Sequence, residues 1–219
     1  VLTKANKVLE PVLQRSTEKK SRFPPLRSGK TEFFREYDDF YIGAECTGMN
    51  VFHSSISVST IKGFEILNLD RKQPMSIPVD IDAEHTAPIA QRIAGQRPLG
   101  MFRLSDQEFL LCFETCAVYI NKHGDINRSA ILDFVGKARS AALFGPFVLL
   151  FDNDFVEIRN AMNGRLRQVI AGRDVKCLDD GQTGAGVGGK LSVKMSMQHP
   201  EIEKNQIIVE LVLNEGLRE

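Results

Sequence analysis

Three stretches of this chain repeat one hairpin, and that repeat restricts the fold more than any other feature. Residues 56–68 read ISVSTIKGFEILN, residues 109–121 read FLLCFETCAVYIN, and residues 147–160 read FVLLFDNDFVEIRN. Each is an apolar strand, a turn of polar or small residues, and a second strand ending in asparagine. The closing residues Asn68, Asn121 and Asn160 lie 53 and then 39 positions apart. Self-similarity at such periods belongs to repeat architectures, and strand repeats of this length suit a β-propeller with four strands per blade.

The rest of the chain agrees with an all-β fold. Short apolar runs with period-two alternation, punctuated by Gly, Asn, Asp and Pro, read as strands. They fall at 7–13, 34–41, 48–53, 55–61, 63–69, 99–104, 108–113, 116–121, 130–135, 138–144, 147–152, 154–160, 165–170, 174–178, 191–197 and 207–213. The longer first interval holds an insert with one predicted helix over 87–94. Thr86 is its expected cap, Pro88 lies in its first turn, Ile89 and Ile93 share a face, and Gly95 ends it. Residues 14–32, with Pro24 and Pro25, and the glycine-rich 179–190 read as flexible loops.

Strand counting places about three complete blades between residues 34 and 170, with a partial blade at each end. A propeller closes on itself with roughly four to eight blades. The chain is therefore expected to hold the C-terminal part of a ring, seven-bladed when complete, whose N-terminal blades lie outside it.

Charge narrows the function. Lysine plus arginine equals aspartate plus glutamate at 28 each, so the chain lacks the basic surplus of a dedicated nucleic-acid binder. No apolar run reaches the length of a membrane span, and Lys4 and Lys7 lead into Pro11 instead of a signal-peptide core. Four cysteines in 219 residues make no disulfide framework and suit a reducing cytosol.

Several local motifs invite chemistry and fail on context. Ser28-Gly29-Lys30-Thr31 resembles the end of a phosphate loop, but Pro24 stands where its first glycine belongs and a strand follows it. Asn121-Lys122-His123-Gly124 resembles a guanine-reading motif with Gly124 where the aspartate is required, so it reads as a turn with glycine at positive φ. The glycines of 184–189 precede a strand, not the helix of a dinucleotide site. Cys112 and Cys116 have only His123 as a further ligand candidate, so Cys112 reads as a buried thiol. His53, His85, His123 and His199 join no serine elbow or metal-binding helix. The adjacent acids Asp38-Asp39 would point apart on a strand. No catalytic constellation, cofactor or metal site is expected.

One charged stretch stands out. Arg15, Lys19, Lys20, Arg22, Arg27 and Lys30 face a lone Glu18 over residues 15–30, a net of +5. It reads either as a solvated loop or as an electrostatic contact with an acidic protein face or anionic lipid.

Residues 33–178 resemble the citron homology (CNH) domain found near the C-terminus of fungal guanine-nucleotide exchange factors for Rho-type GTPases. KGFEILNLD at 62–70, RPLGMFRLSDQEFLLCFETCAVYINKHG at 97–124 and FVEIRNAMNGRLRQVIAG at 155–172 carry the resemblance, and FREYDDFYI at 34–42 precedes them in order. The chain departs from it at Thr115-Cys116 and around 75–85, and residues 179–219 extend past it. The resemblance implies a propeller scaffold that binds proteins without catalysis of its own. The implied partners are a Rho-type GTPase, a regulator, or other domains of the same exchange factor, with an anionic membrane surface as the alternative. Related domains in Ste20-like kinases and vesicle-tethering proteins, and an enzyme whose site lies in other blades, are further alternatives. A cytoplasmic location, peripheral at the plasma membrane in the lipid reading, follows from the resemblance.

Overall fold

A computed structural model describes residues 7–11, 34–52, 54–70, 73–181 and 192–212. Two compact units divide the chain, residues 1–43 and 44–219. In the first unit, β1 (Lys7–Pro11) pairs antiparallel with β2 (Phe34–Asp39), with an irregularity between Val8 and Leu9.

The second unit is a series of antiparallel sheets, each strand paired with its sequence neighbours. The first blade is β3 (Cys46–Val51), β4 (Ser55–Thr60), β5 (Gly63–Asn68) and β6 (Pro74–Ile77). A 3-10 turn (Glu84–Thr86) and α1 (Ala87–Ile93) fill the connection to the second blade. That blade is β7 (Pro98–Arg103), β8 (Glu108–Phe113), β9 (Cys116–Asn121) and β10 (Leu132–Asp133). The third is β11 (Ser140–Phe144), β12 (Phe147–Phe151), β13 (Phe155–Asn160) and β14 (Leu166–Ala171). The fourth sheet has three strands, β15 (Lys176–Asp179), β16 (Val193–Gln198) and β17 (Gln206–Leu211). Strand β7 touches both β3 and β11, and β11 touches β15, so the first strands of successive blades gather on one side. This is the packing of a β-propeller, all-β with one short inserted α-helix among the described residues.

The three repeated hairpins are the second and third strands of the three complete blades. Their asparagines share one task. The Oδ1 of Asn68 accepts the Asp70 N–H at 2.9 Å, that of Asn121 accepts the His123 N–H at 2.8 Å, and that of Asn160 accepts the Met162 N–H at 2.9 Å. Each asparagine caps the turn two residues on and so releases the chain into the fourth strand.

Unbroken apolar runs fit the second strands β8 and β12 because both faces of these blades are buried. On β8, Leu111 and Phe113 join Phe64, Met101 and Val118 between the first and second blades. Leu110 and Cys112 turn the other way, onto Val148 and Leu150 of the third blade. On β12, Leu149 and Phe151 then meet Val193 and Met195 of the fourth. Each buried Leu, Phe or Met contributes about 1.5–3 kcal/mol relative to exposure. Phe64 and Phe113 meet edge to face with centroids 5.4 Å apart, which fixes how the first two blades stack.

Three expectations need correction or completion. Strand β6 carries Pro74 and Ser76, so its sequence has little strand character. It forms because a proline without an N–H is tolerated at the start of an edge strand. The predicted 130–135 strand contracts to the two residues of β10. Thr86 precedes the helix but its side chain makes no cap hydrogen bond. Its buried hydroxyl instead points at the carbonyls of Asp80 (2.6 Å) and Ala83 (2.8 Å), where it ties the 3-10 turn. The helix otherwise matches its prediction, with Ile89 buried, Ile93 packed beside it, and Gly95 at φ 71° closing it. The predicted loop at 14–32 and positions 182–190 of the second loop lie outside the described residues.

Candidate functional site

In an antiparallel meander, alternate connections emerge at the same end. The turns between second and third strands and the links between blades therefore share one end of the second unit. The link from the first to the second blade carries α1, and Arg92 on that helix binds it to the neighbouring turn. The Arg92 Nη1 donates to Thr115 Oγ1 at 2.8 Å, Nη2 to Thr115 O at 3.1 Å, and both Nε and Nη2 reach Asp133 Oδ1 at 3.0 and 2.8 Å. Gln96 completes the join, its Oε1 accepting from Thr115 N and Oγ1, both at 2.9 Å. Thr115, where the chain departs from its family resemblance, thus sits at the anchor of the inserted helix.

The link at 134–139 is equally fixed. Phe134 N donates to Thr115 O at 2.9 Å, Val135 N to Glu157 Oε2 at 2.9 Å, Lys137 N to Asp152 Oδ2 at 2.8 Å, and Ala138 N to Glu114 O at 2.7 Å. Glu114 is held in turn by Lys137 at 3.3 Å and Arg97 at 3.7 Å. A Cβ on Gly136 would lie 2.6 Å from Asp152 Oδ2 and from the Phe155 ring, so a side chain there would have to push both aside. On this rigid frame Val135 is 72% exposed, and Ile61 and Ile202 are exposed in turns at the same end. Aliphatic groups held on a fixed polar frame are what a protein partner can dock on.

A second network binds the second and third blades. The Arg128 guanidinium holds Glu108 through two hydrogen bonds, lies 4.1 Å above the Tyr119 ring, and donates to Met162 O. The Tyr119 hydroxyl donates to Ala161 O at 2.9 Å. Arg159, paired with the buried Glu157, donates through Nη1 to Gly164 O at 2.8 Å. Two arginine–glutamate pairs therefore clamp the turn between β13 and β14. Sequence reading did not single out these pairs. Their members are far apart in the chain, or look like an ordinary charged alternation in a strand.

The sequence-predicted contact residues Arg15, Lys19, Lys20, Arg22, Arg27 and Lys30 all lie outside the described residues. Asn121-Lys122-His123-Gly124 forms the expected turn, with Gly124 at φ 93° and its N–H donating to Asn121 O at 3.0 Å. Cys112 and Cys116 are buried on opposite faces of their hairpin. Among the described residues no group of three or more His, Cys, Asp or Glu side chains is placed to hold a metal ion.

Burial sets the thiol chemistry. Desolvation raises the pKa of Cys112 and Cys116, and burial together with Asp180 pushes Cys177 up to about 11. A thiol reacts as its thiolate. Exposed Cys46 is expected to alkylate first at pH 8. Cys177 should accelerate roughly tenfold per pH unit toward its raised pKa, following its thiolate fraction. Cys112 and Cys116 should react only on unfolding. Mass-spectrometric mapping across pH 7–10 checks the order, and early labelling of Cys112 would contradict the buried hairpin.

The stacked four-stranded sheets define a β-propeller domain. Within that class the chain belongs to the CNH domain family, which it matches over residues 6–181. It is 31% identical over 180 residues to Rho1 guanine nucleotide exchange factor 3 of Schizosaccharomyces pombe, covering 81% of this chain. It is 30% identical over 197 residues to Rho1 guanine nucleotide exchange factor 1 of the same yeast, covering 87% of this chain. In both cases it spans 14% of the relative's length. The solved AfRom2 CNH domain superposes with a TM-score of 0.66 at 21% identity, over 82% of this chain and 54% of that one. Among the described residues no helix is long and apolar enough to cross a membrane.

Proposed function

We propose that this chain is the C-terminal part of a non-catalytic CNH propeller in a Rho guanine-nucleotide exchange factor, where it binds a Rho-type GTPase or a regulator of its signalling. The match along four-fifths of the chain to Rho1 exchange factors carries the reading. It also favours the exchange-factor branch over Ste20-like kinases and tethering proteins. The family-like blocks fall on framework: Phe64, the β8–β9 hairpin, the Glu157–Arg159 pair and the Gly164 turn. Recognition is therefore assigned to exposed turns, above all the end carrying Val135, and to the basic segment Arg15–Lys30. The location that suits this role is the cytoplasm, with the membrane surface reached through partners.

Release of a fluorescent guanine nucleotide from a Rho-type GTPase tests the non-catalytic part. With this chain added alone, release is expected at the intrinsic rate, and acceleration would contradict the reading. Replacing Lys19, Lys20 and Arg22 by alanine should weaken binding of the GTPase and reduce its salt dependence. Unchanged binding would remove the basic segment from the interface. Co-sedimentation of the chain with anionic liposomes, lost in the Lys19, Lys20 and Arg22 alanine variant, together with no binding of the GTPase, would favour the membrane alternative.

A further inference from the structure

The fourth sheet differs from the other three in its outward face. Its inward face carries Val193, Met195, Val209 and Leu211, packed on the third blade with Cys177. The opposite face carries Lys176, Asp179, Lys194, Ser196, Gln198, Gln206 and Glu210, with Leu178 and Ile208 as its exposed large aliphatics. Cross-strand pairing sets Lys194 beside Glu210 and near Asp179, 3.8 Å from Nζ to Oδ2. Asp174 Oδ2 holds Lys176 Nζ and Gln206 Nε2, both at 2.9 Å. Ile208 is 73% exposed. The first three blades bury apolar side chains on both faces: Ile56 and Val58 against Phe64 and Ile66 in the first, Leu110 against Leu111 in the second, Leu150 against Leu149 in the third. Strand β17 also pairs only with β16, so its outer edge has no strand beside it among the described residues.

We propose that this face is a polar seam of the complete propeller, and that its occupant is the domain's first blade, joined through hydrogen bonds and ion pairs. The proposal rests on reading the chain as the C-terminal part of a ring. The AfRom2 CNH domain supports that occupant, since the matched region makes up 54% of its chain and leaves nearly half a domain to be placed. A ring must close on the free face of its last blade. A face with two aliphatic side chains among polar and charged ones closes with less hydrophobic driving force than the other joins. Ion pairs at such a join weaken as salt screens them. The seam is therefore where the ring opens most readily, by a local opening that leaves the inner blades intact.

Hydrogen exchange on the whole domain, with this chain alone alongside, tests the seam at low and at molar salt. In the whole domain, amides of β17 should gain protection over the chain alone and lose about tenfold of it in molar salt, while those of β12 stay unchanged. Protection of β17 equal to that of β12 at both salts would overturn the polar seam alone. No added protection anywhere in the whole domain would overturn the partial-ring reading and the seam with it. Ile208→Lys in the whole domain gives a second readout. It should leave the melting temperature nearly unchanged, whereas Met195→Lys on the inward face should abolish folding. Equal damage from the two would show an apolar join.

Discussion

Replacing Glu157 by alanine is expected to lower stability by about 3–5 kcal/mol, the cost of breaking a buried charge pair from one side. The Glu157 side chain is almost fully enclosed, at 2% exposure, and Arg159 is 16% exposed. One carboxylate oxygen holds Arg159, and the other accepts the Val135 N–H at 2.9 Å. Removing it strands the Arg159 guanidinium, whose remaining acceptor is Gly164 O, and unties the link that presents Val135. Glu157→Gln should cost less, since an amide oxygen still accepts the Val135 N–H. Arg103 and Asp106 form a pair on the exposed β7–β8 turn, and Arg103→Ala should change stability by no more than about 1 kcal/mol. Urea unfolding of the three variants checks the order. Equal midpoints for Glu157→Ala and Arg103→Ala would show that the buried pair does not hold the blades.

Gly124→Ala is expected to cost about 2–4 kcal/mol, the sum of left-handed strain and overpacking. Gly124 sits at φ 93°, and a Cβ there would lie 2.8 Å from Ile77 Cγ2 and 2.9 Å from Val79 Cγ2. Its carbonyl also accepts the Val79 N–H at 2.9 Å, so the turn of the second blade docks on the strand leaving the first. Ile77 and Val79 must move, and the join between the blades moves with them. A thermal unfolding scan would show the loss. A neutral substitution would mean that the turn does not dock there.

Much of this architecture was legible in the sequence because propeller blades announce themselves locally. Runs such as Phe109–Phe113 and Phe147–Phe151 are apolar on both faces, and the asparagine at each hairpin's end marks the turn chemistry directly. What stayed hidden depends on tertiary position. Pro74–Ile77 becomes a strand only because β5 offers it an edge. Val135 reads as one more strand residue, and its exposure arises because β10 stops at Asp133. The Arg128–Glu108 clamp joins residues 20 positions apart, and periodicity carries no information about that distance. The basic segment Arg15–Lys30 was legible as charge alone.

The central claim is that this propeller binds a Rho-type GTPase without acting on it. Calorimetric titration of the complete CNH domain with such a GTPase, in GDP and GTP-analogue forms at two salt concentrations, tests it most directly. Binding in the micromolar range, weaker at the higher salt, is the expected result, and the preferred nucleotide form would show whether the domain gathers substrate or product. Absence of heat with either form at high micromolar protein would contradict it.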